Sequence, residues 1–153
     1  MREAGRIVCA ILDAIEAAVK PGITTADLDA LASRLIDENG AKSAFKGYHG
    51  FPAVLCASVN EEVVHGIPSP RRVLNEGDLV KLDFGVSYQG WFGDSARTVP
   101  VGTISAENQK LIAVTREALH KAIKLCRAGN RIGDLGHAIL AHDDSHGFSV
   151  VRE

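Results

Sequence analysis

The stretch VKLDFGVSYQGWFGDSARTVPVG, Val80 to Gly102, decides how this chain reads. Apolar and polar residues alternate on both sides of a turn between Ser87 and Gly90, the pattern of two antiparallel strands joined as a hairpin. Each strand carries an aspartate, Asp83 and Asp94, at a position read as inward-facing among Val, Leu and Phe. A carboxylate buried without a partner is costly, and two at short range cannot both stay ionised. A divalent cation removes both problems, since carboxylate oxygens suit hard and borderline ions and bridge ion pairs about 3.5–4 Å apart. Gly85 and Gly93 beside them leave room for close backbone approach. The same spacing also fits exposed edge-strand charges that discourage aggregation, and from spacing alone both readings stand.

Working back from the hairpin, RRVLNEGD is a polar connection and NEEVVHGIPSP an exposed turn with a β-branched centre. AVLCASV reads as a short buried strand, and residues 41–52, AKSAFKGYHGFP, as a loop bearing Gly and aromatic residues. Leu28, Leu31, Leu35 and Ile36 form the apolar face of a helix that starts with a capping-box-like Thr24 and Asp27 and stops at Gly40. Ile7, Ile11, Ile15 and Ala18 mark an amphipathic helix over residues 4–20, ended by Pro21-Gly22. Downstream, Ser105 begins a helix to about Arg127, with Leu111, Thr115, Leu119, Ala122 and Ile123 on one face. A last helix spans roughly Ile132 to Ser145, Gly147 stops it, and FSVV starts a strand.

Parts of this map repeat. PGITTADL aligns with AGNRIGDL, pairing Gly22 with Gly129, Asp27 with Asp134 and Leu28 with Leu135. The same offset pairs Leu12 with Leu119 and Gly40 with Gly147. This predicts an internal duplication, with a first copy over about residues 4–102 and an incomplete second over about 105–153. The second copy stops as its strands begin, so the sequence reads as cut short.

Four histidines are candidates for chemistry. His65 in VVHGIP and His49 in GYHGFP each fit a satisfied structural histidine, and for His49 that reading is preferred. His142 and His146 in AHDDSHG have the i, i+4 spacing that puts two imidazoles on one helix face, as in zinc sites. The intervening aspartates and the position at a polar helix end favour a solvated last turn, where cationic His suits the helix dipole.

Composition narrows the class. The chain has 153 residues, 46% apolar and 24% charged, enough for one ordinary globular domain with a real core. A net charge of −2 gives no electrostatic footprint for nucleic acid or an anionic membrane. No run approaches a membrane span, and Asp13 and Glu16 interrupt the apolar start short of a signal segment. Cys9, Cys56 and Cys126 are odd in number and in no CxxC pair, which predicts reduced, mostly buried thiols and a cytoplasmic protein. GxSxG, Walker-type and GxGxxG motifs are absent, so acyl-serine, P-loop and Rossmann chemistry have no support.

Taken together, GYHGFPAVLCASVNEEVVHGIP, GDLVKLDFGVSYQGWFGDSARTVPVG and HGFSVVRE resemble the type I, bacterial-style methionine aminopeptidases of peptidase family M24. The resemblance runs in order along essentially the whole chain. It implies an α+β pita-bread (creatinase) fold, itself an internal duplication, of which the first half and the start of the second are present. It implies a metallo-exopeptidase that removes the initiator methionine of nascent polypeptides, near the ribosome, as a monomer. Two divalent ions (Co, Mn, Fe, Zn or Ni) would be used, with Asp83 matching a chelating ligand and Asp94 a bridging one. His65 matches a histidine that approaches the scissile bond and helps stabilise the tetrahedral intermediate. Tyr48, Phe51 and Cys56 match the wall of the methionine side-chain pocket, whose aromatic and soft atoms suit a thioether. Phe45 lies near that pocket, and Asn60 matches a monovalent-cation position. One histidine and two glutamates that complete the family's ligand set, one of them also the general base, lie beyond FSVVRE. The 153 residues taken alone are therefore expected to be inactive. The alternatives are a non-catalytic, truncated peptide-binding module of the same fold, and a related prolidase or aminopeptidase P. The block from Tyr48 to His65 argues against the second of these.

Overall fold

The computed structural model describes residues 1–151. They fall into two compact units, residues 1–104 and residues 105 onward.

In the first unit, helix α1 (Arg2–Ala18) buries Ala4, Val8, Ile11, Leu12 and Ile15, one stripe at helical spacing. Helix α2 (Thr25–Glu38) buries Thr25, Leu28, Ala32 and Ile36. Its start is a capping box: Asp27 N donates to Thr24 Oγ1 at 3.1 Å, and Thr24 N donates to Asp27 Oδ2 at 3.0 Å. The two helices lie over an antiparallel sheet. Strand β3 (Leu79–Tyr88) is its axis and pairs with β4 (Trp91–Pro100) along its whole length. On its other edge β3 pairs with β2 (Cys56–Val59) and, further along, with the two-residue β1 (Lys42–Ser43). The loop read over residues 41–52 thus contains β1 and a single 3₁₀ turn, Tyr48–Gly50. Of AVLCASV only the last four residues pair. Val54 and Leu55 stay outside the ladder because their N–H groups donate to Asp29 Oδ1 on α2, at 2.9 and 3.0 Å.

The hairpin turns through two residues, Gln89 and Gly90, with φ of +50° and +81°. Both signs match a primed turn, whose twist suits the flanking strands. Alternation along β3 sends Val80, Leu82, Phe84 and Val86, all fully buried, into the core beneath the helices. Asp83 and Gly85 lie between them and face the other way. The inward-facing reading of the aspartates is therefore corrected: they point away from the helical core, onto the sheet's opposite face. On the helix side, Gly93 meets α1 so closely that a Cβ would stand 2.7 Å from the carbonyl carbon of Ala4.

In the second unit, α3 (Ala106–Leu125) is capped by Ser105 Oγ, which accepts from Asn108 N at 3.1 Å. It packs against α4 (Ile132–Ser145). Sequence reading caught only part of the buried stripe of α3, since Ala122 is buried as expected but its large neighbours are not. The buried residues are Val114, Ala118 and Ala122, whereas Leu119 and Ile123 are each 55% exposed. Small side chains mark where the helix sits closely; centring the face on Leu and Ile pointed to the neighbouring stripe. Phe148 to Val151, expected to begin a strand, have no strand pairing, and the Lys110 ammonium lies 5.2 Å from the Phe148 ring centre. The thiols are also less hidden than expected, since Cys9 and Cys126 are exposed and only Cys56 is buried.

Candidate active site

Register brings the candidate residues together. Asp83 pairs with Ala96 on β4, and Asp94 pairs with Gly85 on β3. The two aspartates are therefore diagonal neighbours on one face of the hairpin, within reach of each other. On the other edge of β3, Cys56 is the direct partner of Asp83 and shares that face. Gly85, opposite Asp94, leaves the space that the Phe45 ring fills, since a Cβ there would lie 3.1 Å from its Cε1.

Two left-handed residues shape the loop after β2. Asn60 has φ +54° and His65 φ +61°. Gly66 follows His65 and locks the loop to β2: Ala57 N donates to Gly66 O at 2.9 Å and Gly66 N donates to Ser58 Oγ at 2.9 Å. His65 is thereby held against a cavity of about 580 Å³, which it helps to line. Its lining comprises Phe45, Tyr48, His49, Gly50, Phe51, Pro52, Cys56, His65, Ile67, Asp83 and Asp94. The pocket is apolar and aromatic apart from two carboxylates and two imidazoles, the make-up of a site that grips an apolar group beside reactive ones. Phe45 and Phe51 meet edge to face with ring centres 6.4 Å apart.

Electrostatics follow from that placement. Burial pushes the Asp83 carboxyl above the ordinary carboxylate range; the like charge of Asp94 and a hydrogen bond with it push the same way, while His65 pulls it down. No ion pair relieves the two aspartates among the described residues. The guanidinium groups of Arg6, Arg34, Arg72 and Arg97 are engaged elsewhere, Arg97 with Asp13 at 2.6 Å and Glu16 at 2.9 Å. Two adjacent carboxylates facing an open pocket, with the His65 imidazole beside them but no Lys or Arg ion pair among the described residues, fit a bound divalent cation. Asp94 is exposed, and β4 is paired along one side only among the described residues, so part of the edge-charge description also applies to it. The Cys56 thiol is pushed up to about 11, first by burial and then by Asp83, Asp94 and Asp29. It is thus a neutral, soft wall rather than a nucleophile.

Some expectations need refinement. His49, read as a satisfied structural histidine, is exposed, lines the pocket at φ +46°, and meets Tyr48 edgewise at 4.3 Å. His142 is not on a solvated turn, since α3 packs over α4 and leaves it only 5% exposed, whereas His146 is half-buried beside the exposed Asp144 and Gly147. Asn60 is occupied locally. Its Oδ1 accepts from Leu79 N at 2.9 Å, its Nδ2 donates to Asp78 Oδ1 at 2.8 Å, and the Lys81 ammonium donates to its carbonyl oxygen. Sequence reading missed Gly50, Pro52 and Ile67 as lining residues, and Asp29 as the residue that anchors the entry to β2. The GIP and GFP turns were the available signal for the first three.

The fold and paired carboxylates define a class: the chain belongs to metallopeptidase family M24, which matches residues 1–153. Its sheet and helices are those of the pita-bread fold. Within that family, it is 50% identical over 153 residues to a methionine aminopeptidase of Clostridium acetobutylicum and 48% identical to methionine aminopeptidase 1 of Bacillus subtilis. The alignments cover the whole of this chain and 61% of each relative. A crystal structure of methionine aminopeptidase from Thermotoga maritima superposes with a TM-score of 0.98 at 42% identity, covering 100% of this chain and 61% of that one. Escherichia coli aminopeptidase P shares the fold at 21% identity and a TM-score of 0.83. The chain thus spans about three-fifths of the length of the relatives it matches. No described helix is long and apolar enough to cross a membrane.

Proposed function

We propose that the protein carrying this chain is a metal-dependent methionine aminopeptidase, which hydrolyses the first peptide bond of polypeptides that begin with methionine. The observation that carries the reading is the single pocket in which Cys56, Phe51 and Tyr48 stand beside Asp83, Asp94 and His65. Asp83 and Asp94 would hold the divalent metal, two ions in our reading, which supplies Lewis acidity and an activated water when bound. The remaining roles belong to the chain itself. Phe51, Tyr48 and Cys56 receive the methionine thioether, which packs favourably against ring edges and a neutral thiol. His65, fixed by the Gly66 bonds, reaches the peptide near the scissile bond and hydrogen-bonds to it. Asn60 takes a monovalent cation only where the Lys81 ammonium moves aside. We further propose a cytoplasmic monomer acting on nascent chains near the ribosome, built from two related halves. Gly22 and Gly129, at φ +90° and +96°, and the capping hydrogen bonds of Asp27 and Asp134 support that relatedness.

The test is a comparison of Met-Ala and Xaa-Pro peptides with the metal-loaded protein that carries this sequence. We expect Met-Ala cleavage to be preferred. Asp94→Ala should abolish both metal retention and turnover, and His65→Ala should lower kcat while metal content persists. Better cleavage of Xaa-Pro peptides would assign the protein to the aminopeptidase P branch. Binding without turnover in the metal-loaded protein would make it a peptide-binding module.

A further inference from the structure

The cluster between α3 and α4, within the second unit, uses none of the residues of the pocket just described. Glu117 on α3 and His142 and His146 on α4 place one ligand atom each within 4.8 Å of one another. His142 and His146 lie one helical turn apart, with ring centres 4.4 Å apart and planes tilted by 57°. Their spacing alone would not make a site, but three further features point to a ligand. First, His142 Nε2 is buried and makes no hydrogen bond, although Glu117 Oε2 lies 3.3 Å away. An orphan imidazole nitrogen in a side chain 3% exposed is costly unless something binds it. Second, His146 Nδ1 lies 2.8 Å from the carbonyl oxygen of His142, an acceptor only. Nδ1 therefore carries the hydrogen, and Nε2 presents its lone pair. A backbone carbonyl holding the far nitrogen is the usual support of a metal-bound histidine. Third, Ser145 Oγ donates to the same carbonyl at 2.8 Å and lies 3.0 Å from His146 Nδ1, which steadies the last turn of α4.

We propose that Glu117, His142 and His146 form a second divalent-metal site, selective for zinc-like ions, that clips α3 to α4. Two imidazoles and one carboxylate are the donor set that suits Zn²⁺ and its neighbours rather than Mg²⁺ or Ca²⁺. Three protein ligands leave a coordination position open to water or to a further ligand.

Lys121 is the built-in competitor. Its Nζ lies 2.6 Å from His142 Nδ1. An ammonium only donates, so in the metal-free protein Nδ1 accepts and the ring proton sits on Nε2. A metal at Nε2 displaces that proton, Nδ1 takes one up from water, and the exposed Lys121 side chain swings out. The ion and the ammonium therefore bind this ring in alternation.

The experiment uses the chain with Asp83→Asn and Asp94→Asn, so that the first pair of carboxylates cannot report. Zn²⁺ is titrated against a chromophoric chelator, with Mg²⁺ as the comparison ion. We expect one equivalent of Zn²⁺ and no Mg²⁺. Glu117→Gln and His146→Gln, neither at a fully buried position, should each weaken Zn²⁺ binding by about tenfold or more, since even outer-shell changes cost 10–100-fold. Lys121→Met should tighten it. In the chain with an intact cluster, ¹⁵N ring signals should show Nε2 coordination at both histidines. No retained Zn²⁺, retention unaffected by Glu117→Gln and His146→Gln, or ring signals unchanged by Zn²⁺ would overturn the proposal and leave an ordinary Glu–His contact.

Discussion

Gly66 offers the sharpest test of how the fold holds its candidate site. A Cβ added there would lie 2.5 Å from Ala57 O, 2.8 Å from Ser58 Cα and 2.9 Å from Ala57 C. All three are backbone atoms of a strand paired in the sheet, so no side-chain rotation relieves the clash. In Gly66→Ala the loop must back away, and the bonds from Ala57 N and Gly66 N lengthen or break. Two hydrogen bonds at about 1 kcal/mol each, or overpacking strain of about 1–3 kcal/mol, give the same answer of roughly 2–3 kcal/mol lost. For a chain of this size that is a fall in Tm of roughly 5–10 °C. Gly5→Ala is the control in the same unit. Gly5 lies within α1 with nothing inside 4 Å of a new Cβ, so alanine should add about 0.5–1 kcal/mol through helix propensity. Urea and thermal melts followed by circular dichroism compare the two directly. In the metal-loaded protein, Gly66→Ala should also lower kcat/KM with metal content unchanged, because it displaces His65 and leaves Asp83 and Asp94 in place. Equal stability of Gly66→Ala and the parent would refute the close-approach argument.

Phe84→Ala should cost about 3–5 kcal/mol, since Phe84 is fully buried at the centre of β3 and its loss leaves a cavity; denaturant midpoints measure it. Thr24→Ala should cost about 1 kcal/mol by removing the helix cap, again read from melts. Its partner Asp27 is held below its usual value of 3.8 by hydrogen bonds from the Thr24 side chain and backbone. Its contribution is therefore fully present above that value and disappears as the pH falls through the folded-state pKa, so the gap between the parent and Thr24→Ala melts should narrow in acid, while the part due to Thr24 Oγ1 accepting from Asp27 N persists. At pH 8, iodoacetamide should modify the exposed Cys9 and Cys126 well before Cys56, which is buried and pushed up to about 11. Peptide mapping by mass spectrometry gives the order.

What could be read from sequence depended on how local the cause is. The Thr24–Asp27 cap and the Gln89-Gly90 turn are set by residues three or fewer apart, and both were legible. The aspartates were legible as a pair because one hairpin register fixes them, but which face they took depended on where the helices land. Asp29 reaches Val54 and Leu55 across 25 and 26 positions, and nothing in its local sequence announces it. The His142–His146 pair was visible from its spacing. Glu117 was not, because it joins them only once α3 lies on α4. Leu119 and Ile123 misled for a related reason, since hydrophobicity says that a residue prefers cover, not which stripe receives it.

Gly93 has a consequence for how mutations would be found. Its neighbour Asp94 carries the carboxylate, but the backbone that aims it lies flat against Ala4 and Gly5 of α1, with no room for even a methyl group. Ala4 is itself 1% exposed, so any larger residue there pushes the hairpin off the helix at the point where Asp94 is aimed. A genetic screen for lost activity should therefore return hits in the first turn of α1, far from the aspartate in sequence. Such hits would resemble folding defects until metal content was measured. Their suppressors would be changes that shrink α1, not changes that rebuild the pocket.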